Sequence, residues 1–314
     1  MAPRLIGAEE LRTVLPMRDA IDALRIGFRD GDPSATPLRS HVETASGELL
    51  IMPAVGPAGV GVKLVTVTPG NPAAGLPLID SVYALFDPGD QRAVVVMDGA
   101  SLTALRTAAV SGLAASFLAN PDAGRLVVFG AGVQARAHVE AMRAVRAVVE
   151  VVIVPRRPGP AAALVEDLRR AGVDSRVGAP DDVSGADLIC TCTTSPTPVF
   201  DGTLVRPGTH VTAVGAYTPN SRELDAETMR GAKVVVETRE AAFAEAGDLI
   251  LAIGEGAMST SDIVSDLSEL ARGAQVRTDP TQITIFVSVG LAFEDLVVAS
   301  AVARATALSP PAIG

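Results

Sequence analysis

The segment Gly130-Ala131-Gly132-Val133-Gln134-Ala135 constrains this 314-residue chain more than any other. It reads G-x-G-x-x-A, follows the apolar run LVVF at 126–129, and opens an alanine-rich stretch with helical spacing. In that setting the first glycine permits a tight turn and the second lets the backbone approach a pyrophosphate. A small residue at 135 lets the helix pack closely on the strand. The helix N-terminus adds N–H groups and a partial positive charge. The same string also occurs as a ligand-free strand–helix turn. The strand before it and the helix after it favour a dinucleotide site, with Gly130, Gly132, Val133 and Gln134 as contacts.

The next strand carries the choice of dinucleotide. NAD-preferring sites place an acid at its end to hold the ribose 2′-hydroxyl. Here the strand near 149–154 continues Pro155-Arg156-Arg157, with no acid. Two guanidinium groups suit a 2′-phosphate, although solvated surface charges are the plainer alternative. The expectation is NADP(H), with NAD(H) possible.

Around this motif the rhythm is strand, helix, strand. Strands are predicted near 126–129, 149–154, 187–193, 210–214, 234–236 and 283–287, with helices at 133–147 and 161–171. Such alternation implies a parallel sheet with helices on both faces. The chain before it has another texture. Helical spacing at 8–30 is divided by Pro16, a hairpin turns at Ser46-Gly47, and strands follow at 60–67, 79–86 and 93–97 before a helix at 101–118. The fold class expected is α/β: a Rossmann domain at 120–290 and an α+β domain from both chain ends, 1–119 with 291–314. The last helix, 291–308, is placed back against that first domain.

Composition narrows the class further. A net charge of −10 argues against nucleic acid or an anionic membrane as the main partner. The longest uncharged stretch, 64–79, contains three prolines and is too short to cross a bilayer. The opening residues lack the apolar core of a signal peptide. Cys190 and Cys192 share one predicted strand with no second pair, so they read as core thiols in a reducing compartment, not metal ligands. No metal is expected, and the localisation expected is cytoplasmic.

Three basic residues stand in apolar surroundings: Arg39 in TPLRSH, Lys63 in GVKLVTV and Arg106 in LTALRTAA. Taken alone, each reads as an edge or surface charge, because such groups are rarely buried without a partner. Taken with their neighbours, they carry a resemblance. PLRSH at 37–41, GVKLVTVTPGNPAAGLP at 61–77, DGASLTALRTAAVSG at 98–112 and GAGVQARAHVEA at 130–141 resemble segments of the ornithine cyclodeaminase/mu-crystallin family. GAYTPNSRELD at 215–225, EAGDL at 245–249 and SVGLAFEDL at 288–296 extend the match over almost the whole chain. The resemblance implies a Rossmann domain inserted in a second domain that also makes a homodimer. It implies that Arg39, Lys63 and Arg106 hold the carboxylate of an amino or imino acid beside a nicotinamide. It adds Thr107, Thr193, Ser195, Val214 and Gly215 to the cofactor contacts. Ser288 and Gly290 join them, with a plain strand–helix turn as the alternative.

Family members include cyclodeaminases, alanine dehydrogenases, ketimine reductases and opine-type synthases. Cyclodeaminases and alanine dehydrogenases typically carry Asp where this chain has Tyr217. A phenol with an ordinary pKa of about 10 is a poor base at neutral pH. The GA-aromatic-TP pattern resembles the family's 1-pyrroline-2-carboxylate reductases, which need only hydride delivery, a protonated imine nitrogen and a clamped carboxylate. The catalytic set expected is Lys63, Arg106 and Tyr217, the last being a pocket-lining residue in the plainer reading. The activity expected is NADP(H)-dependent reduction of a cyclic ketimine carboxylate to proline or pipecolate. The alternatives are an ornithine cyclodeaminase or alanine-type dehydrogenase, and a mu-crystallin-like NADPH-dependent ligand binder.

Overall fold

The computed structural model describes residues 2–57, 59–156 and 158–306. The chain divides into two compact units, one ending at Arg106 and resuming at Leu291, the other running from Thr107 to Gly290.

The first unit begins with strand β1 (Arg4–Ile6) and helices α1 (Ala8–Val14) and α2 (Met17–Asp30). Pro16 is the N-cap of α2 and separates the two helices, as its missing N–H and fixed φ require. Then come β2 (Ser40–Thr44), β3 (Gly47–Gly56), β4 (Gly59–Val67), β5 (Ile79–Phe86) and β6 (Ala93–Asp98). They form one sheet in the order β1-β6-β5-β4-β3-β2, antiparallel except for β1 on β6. The period of two along β4 turns Gly61, Lys63 and Val65 to the covered face and Leu64 to the other. Lys63 is therefore an inward lysine.

Helix α3 (Gly99–Leu118) follows and carries the division between Arg106 and Thr107, whereas the sequence reading put the junction at the helix end. Arg106 is its only charge, so composition gives no break at that point. α3 has the length and apolarity of a membrane span, but 72% of that window is buried within the protein.

The second unit is a parallel sheet of eight strands: β7 (Arg125–Phe129), β8 (Glu150–Val154), β9 (Ser175–Val177), β10 (Leu188–Thr191), β11 (His210–Ala213), β12 (Lys233–Val236), β13 (Ile263–Asp266) and β14 (Thr284–Val287). Its order, β13-β12-β14-β11-β10-β7-β8-β9, reverses direction between β7 and β10. That is the switch point at which open α/β sheets bind ligands. Helices α4 (Val133–Val145) and α5 (Pro158–Arg170) serve β7 and β8, and short helices α6 (Ala226–Met229), α7 (Arg239–Glu245), α8 (Gly247–Gly254) and α9 (Leu267–Ala271) serve the later strands. Strand interiors are buried runs of Val, Ile and Leu, as sheets covered on both faces require. β9, β13 and α6–α9 lack the periodicity that would reveal them in sequence.

After β14 the chain re-enters the first unit as α10 (Ala292–Ala305), which packs on α2, β3 and β4.

Candidate functional site

The second unit holds a cleft of about 580 Å³ at the C-terminal ends of β7, β8 and β10. Gly130 has φ +110°, and a Cβ there would lie 2.6 Å from the Cys192 carbonyl oxygen, so only glycine fits. Its N–H donates to the Val154 carbonyl at 2.9 Å, fixing the turn to β8. Gly132 caps α4 without a side-chain hydrogen bond, and a Cβ there would meet open space. Ala135 is wholly buried in the core under the helix. These are the features a pyrophosphate at a helix N-terminus needs. Val133 beside the cap is 71% exposed.

Arg156 lines the same cleft and is exposed. Arg157 lies outside the described residues. Thr193 and Ser195 line the cleft from the loop after β10. Cys192 lines it too, which corrects the expectation of two core thiols: only Cys190 is fully buried. Two residues apart, both thiols face the same core cluster, but β10 ends at Thr191 and Cys192 lies just beyond it, at the cleft.

Along the same edge of the sheet, Val214 N–H donates to Thr191 O at 3.2 Å, and Gly215, Ser288 and Gly290 are all hydrogen-bonded to buried carboxylates. Glu223 takes the Gly215 N–H at 2.7 Å, and Glu237 takes Ser288 Oγ at 2.5 Å and the Gly290 N–H at 2.9 Å. Tyr217 is half-buried on the loop after β11. Thr107 is buried in α3 and accepts Ser111 Oγ at 3.0 Å. Nearby, His138 hydrogen-bonds Ser111 Oγ at 2.9 Å, and burial pushes it down to about 4, so it is a neutral structural residue.

The basic residues of the first unit are brought together. Lys63 on β4 and Arg106 on α3 are 1% and 5% exposed, which overturns the surface-charge reading of each. Lys63 Nζ lies 3.0 Å from Asp295 Oδ1, and Arg106 Nε lies 3.1 Å from the same oxygen. Arg106 Nη1 donates to Glu294 Oε2 at 2.9 Å. Both acids sit in the first turn of α10, where the helix dipole favours negative charge. Burial, then the Arg106 charge, lowers Lys63 to about 8 against the opposing pull of Asp295, and Arg39 adds to the lowering. Tyr83, opposite Lys63 on β5, is fully buried with its hydroxyl unpartnered among the described residues. A Cβ at Gly61 would lie 1.8 Å from that hydroxyl.

Sequence reasoning missed Glu294, Asp295, Tyr83, Glu223, Glu237 and Asp248. A signal existed for the first two: an acidic pair opening an otherwise apolar helix needs cations to bury against, and Lys63 and Arg106 were the unexplained cations.

The chain matches the ornithine cyclodeaminase/mu-crystallin family over residues 5–308. It is 36% identical over 313 residues to the Delta(1)-pyrroline-2-carboxylate reductase of Paracoccus denitrificans, covering 98% of each chain. Its fold is similar to that of Thermococcus litoralis Delta(1)-pyrroline-2-carboxylate reductase in complex with NADH and L-proline, with TM-score 0.91 and 30% identity over 97% of each chain. It is also similar to an archaeal alanine dehydrogenase dimer with bound NAD, with TM-score 0.90 and 32% identity over 98% of this chain and 97% of that one. The continuous match, the glycine-rich turn and the buried Lys63–Arg106 pair lead to one assignment: the chain belongs to the ornithine cyclodeaminase/mu-crystallin family.

Proposed function

We propose that this chain is an NAD(P)H-dependent reductase of cyclic ketimine carboxylates, converting 1-pyrroline-2-carboxylate to L-proline and the six-membered homologue to L-pipecolate. The observation that carries the reading is the buried pair Lys63 and Arg106, held ready by Asp295 and Glu294 in a family whose similar members bear that activity. A guanidinium and an ammonium fixed in this way orient a small carboxylate without reorganisation when it arrives. Arg39 supplies a third positive charge, so the two acids leave a surplus of one, the complement of one carboxylate. Lys63 is also the group suited to keep an imine nitrogen protonated near neutral pH.

The dinucleotide supplies the hydride when bound. In this reading Gly130, Gly132, Val133 and Gln134 seat its phosphates, while Thr107, Thr193, Ser195, Val214, Gly215, Ser288 and Gly290 border its other half. NADP(H) is preferred to NAD(H): Arg156 lines the cleft beyond β8, where no acid is present to take a 2′-hydroxyl. The T. litoralis relative was solved with NADH, so NAD(H) stays within reach of the fold. Tyr217, in place of an acid, favours reduction of a preformed imine over cyclodeamination of ornithine.

The reading assigns substrate binding and dimerisation to 1–119 with 291–314, dinucleotide binding to 120–290, and a cytoplasmic setting. What supports a homodimer is the outward face of the first sheet. There Leu64 on β4 and Val82 on β5, directly paired, are 38% and 49% exposed, and Val42 on β2, beyond β3, is 44% exposed, apolar surface of the kind that marks interfaces.

The test gives purified protein NADPH or NADH with the five- and six-membered ketimines, and separately NAD⁺ with ornithine. Consumption of reduced cofactor at 340 nm, faster with NADPH, is expected. No oxidation with either ketimine would sink the reductase reading, and proline with ammonia from ornithine would establish the cyclodeaminase.

A further inference from the structure

Two buried carboxylates tie together the loops at one half of the C-terminal sheet edge. Glu223 accepts from the Thr193 N–H at 2.7 Å, Thr193 Oγ1 at 2.6 Å and the Gly215 N–H at 2.7 Å, so one side chain joins the loops after β10 and β11. Glu237, directly after β12, accepts from Ser288 Oγ at 2.5 Å, the Val289 N–H at 3.0 Å and the Gly290 N–H at 2.9 Å, holding the loop after β14. The strand order β12-β14-β11-β10 sets the two ties side by side. Glu223 and Glu237 are 0% and 1% exposed.

The surroundings are built for the ties. A Cβ on Gly215 would lie 2.1 Å from the Thr193 carbonyl oxygen and 2.6 Å from Glu223 Oε2, so glycine is required there. Beneath, Asp248 at the start of α8 accepts the N–H groups of Glu223 and Leu224, both at 2.8 Å. Gly247 lets that helix approach, since its Cβ would meet the Ser221 carbonyl at 2.0 Å. Three separated sequence segments, GAY, REL and AGDL, thus form one assembly. Burying acids is a costly way to close loops for stability alone, because apolar packing serves at least as well. What hydrogen-bonded carboxylates supply is a fixed backbone geometry.

We propose that Glu223 and Glu237 are positioning residues that hold Thr193, Gly215 and Gly290 in the arrangement that seats the redox-active half of the dinucleotide. The proposal rests on the dinucleotide reading above. The glycine-rich turn after β7 takes the phosphates, and the tied loops lie on the other side of the switch point.

The test compares Glu223→Gln and Glu237→Gln with Asp187→Asn. Each Gln keeps the shape but turns one acceptor oxygen into an NH₂ facing a backbone N–H. Asp187 makes the same kind of tie at the opposite end of the sheet, accepting the Gly124 and Arg125 N–H groups at 2.9 and 2.8 Å. Both Gln variants are expected to lose roughly 100-fold in kcat, the scale of a 1 Å misplacement, with the dinucleotide Kd within about threefold of wild type. Asp187→Asn lowers Tm and leaves kcat unchanged. The proposal is overturned if kcat is retained in both Gln variants, or if kcat falls with Tm alike in all three. Hydrogen exchange on the wild-type protein gives a check independent of variant folding: the Thr193, Gly215 and Gly290 amides are protected although they lie in loops, and open-loop exchange at these positions overturns the ties. A wild type that binds neither NADPH nor NADH would instead remove the dinucleotide reading, and this proposal with it.

Discussion

Lys63 Nζ lies 2.8 Å from Asp295 Oδ2, with the two side chains 1% and 0% exposed and 232 residues apart in sequence. Asp295 also receives Arg106, so removing this one acid strands the buried Lys63 and takes one of the ion pairs of Arg106, which keeps Glu294. Asp295→Ala is therefore expected to destabilise the protein by about 3–5 kcal/mol, the cost of breaking a buried pair. Lys63→Met with Asp295→Leu should cost clearly less than the sum of the single changes, since both charges then leave together. Urea unfolding of the four proteins checks this. Additive effects would mean that the pair does not interact.

The lowered Lys63 gives activity and stability opposite pH dependences. Burial and the Arg106 charge bring the folded-state value to about 8, below the usual lysine value. The charged form is the one that holds a carboxylate, so kcat/KM should fall as pH rises through about 8. The folded protein releases this proton more readily than the unfolded chain. Stability from this group is thus full above the unfolded value of about 10.4 and is lost as pH falls through about 8. Between pH 8 and 10 activity should drop while this contribution to stability grows. Rate profiles and denaturation at matched pH test the pairing, and a flat alkaline rate profile with the ketimine would remove Lys63 from the clamp.

The two motif glycines should respond differently to alanine. At Gly130 the positive φ and the Cys192 carbonyl both oppose a Cβ, so Gly130→Ala should cost more than ~1 kcal/mol of stability. At Gly132 a methyl group meets no protein atom within 4 Å, so folding should be spared. The same methyl would occupy the approach of a pyrophosphate, and dinucleotide affinity should fall at least tenfold, or ~1.4 kcal/mol. Thermal unfolding and titration with NADPH separate the two effects. Equal affinity for wild type and Gly132→Ala would mean the phosphates bind elsewhere.

These contrasts show what the sequence could carry. The strand–turn–helix around Gly130 was legible because its requirements are local: a tight turn, a helix start and close packing within six residues. Strands β4 to β6 and the break at Pro16 were legible for the same reason. The partners of Lys63 and Arg106 were not, because Glu294 and Asp295 lie on a helix near the far end of the chain, and only the tertiary fold brings them to β4 and α3. In sequence Glu223 is one charge in the polar segment GAYTPNSRELD. Its burial depends on Gly215, Thr193 and Asp248, each unremarkable alone. Where chemistry needs residues to meet across the fold, the sequence supplies the charges but not their pairing.

Asp248 makes the brace beneath Glu223 sensitive to pH. Its Oδ1 accepts two backbone N–H groups at 2.8 Å, while Oδ2 has no hydrogen-bond partner among the described residues. Burial, with the Glu223 charge adding to it, pushes Asp248 up to about 7. The folded state then holds this proton more tightly than the unfolded chain, whose Asp titrates near ~3.9. Stability from the protonated group is full below that value and is lost as pH rises through about 7. Asparagine copies the protonated acid: its carbonyl keeps both N–H bonds and its NH₂ replaces Oδ2. The advantage of Asp248→Asn over wild type should grow by more than ~1 kcal/mol between pH 5 and pH 8, the two proteins matching only below the unfolded value. Glu223 is pushed up by its own burial, so the two acids titrate as a coupled pair and the change should spread over more than one pH unit. Urea unfolding at pH 5, 6.5 and 8 measures the difference. Parallel stability curves for the two proteins would show that Asp248 keeps its charge throughout and that its backbone hydrogen bonds outweigh its burial.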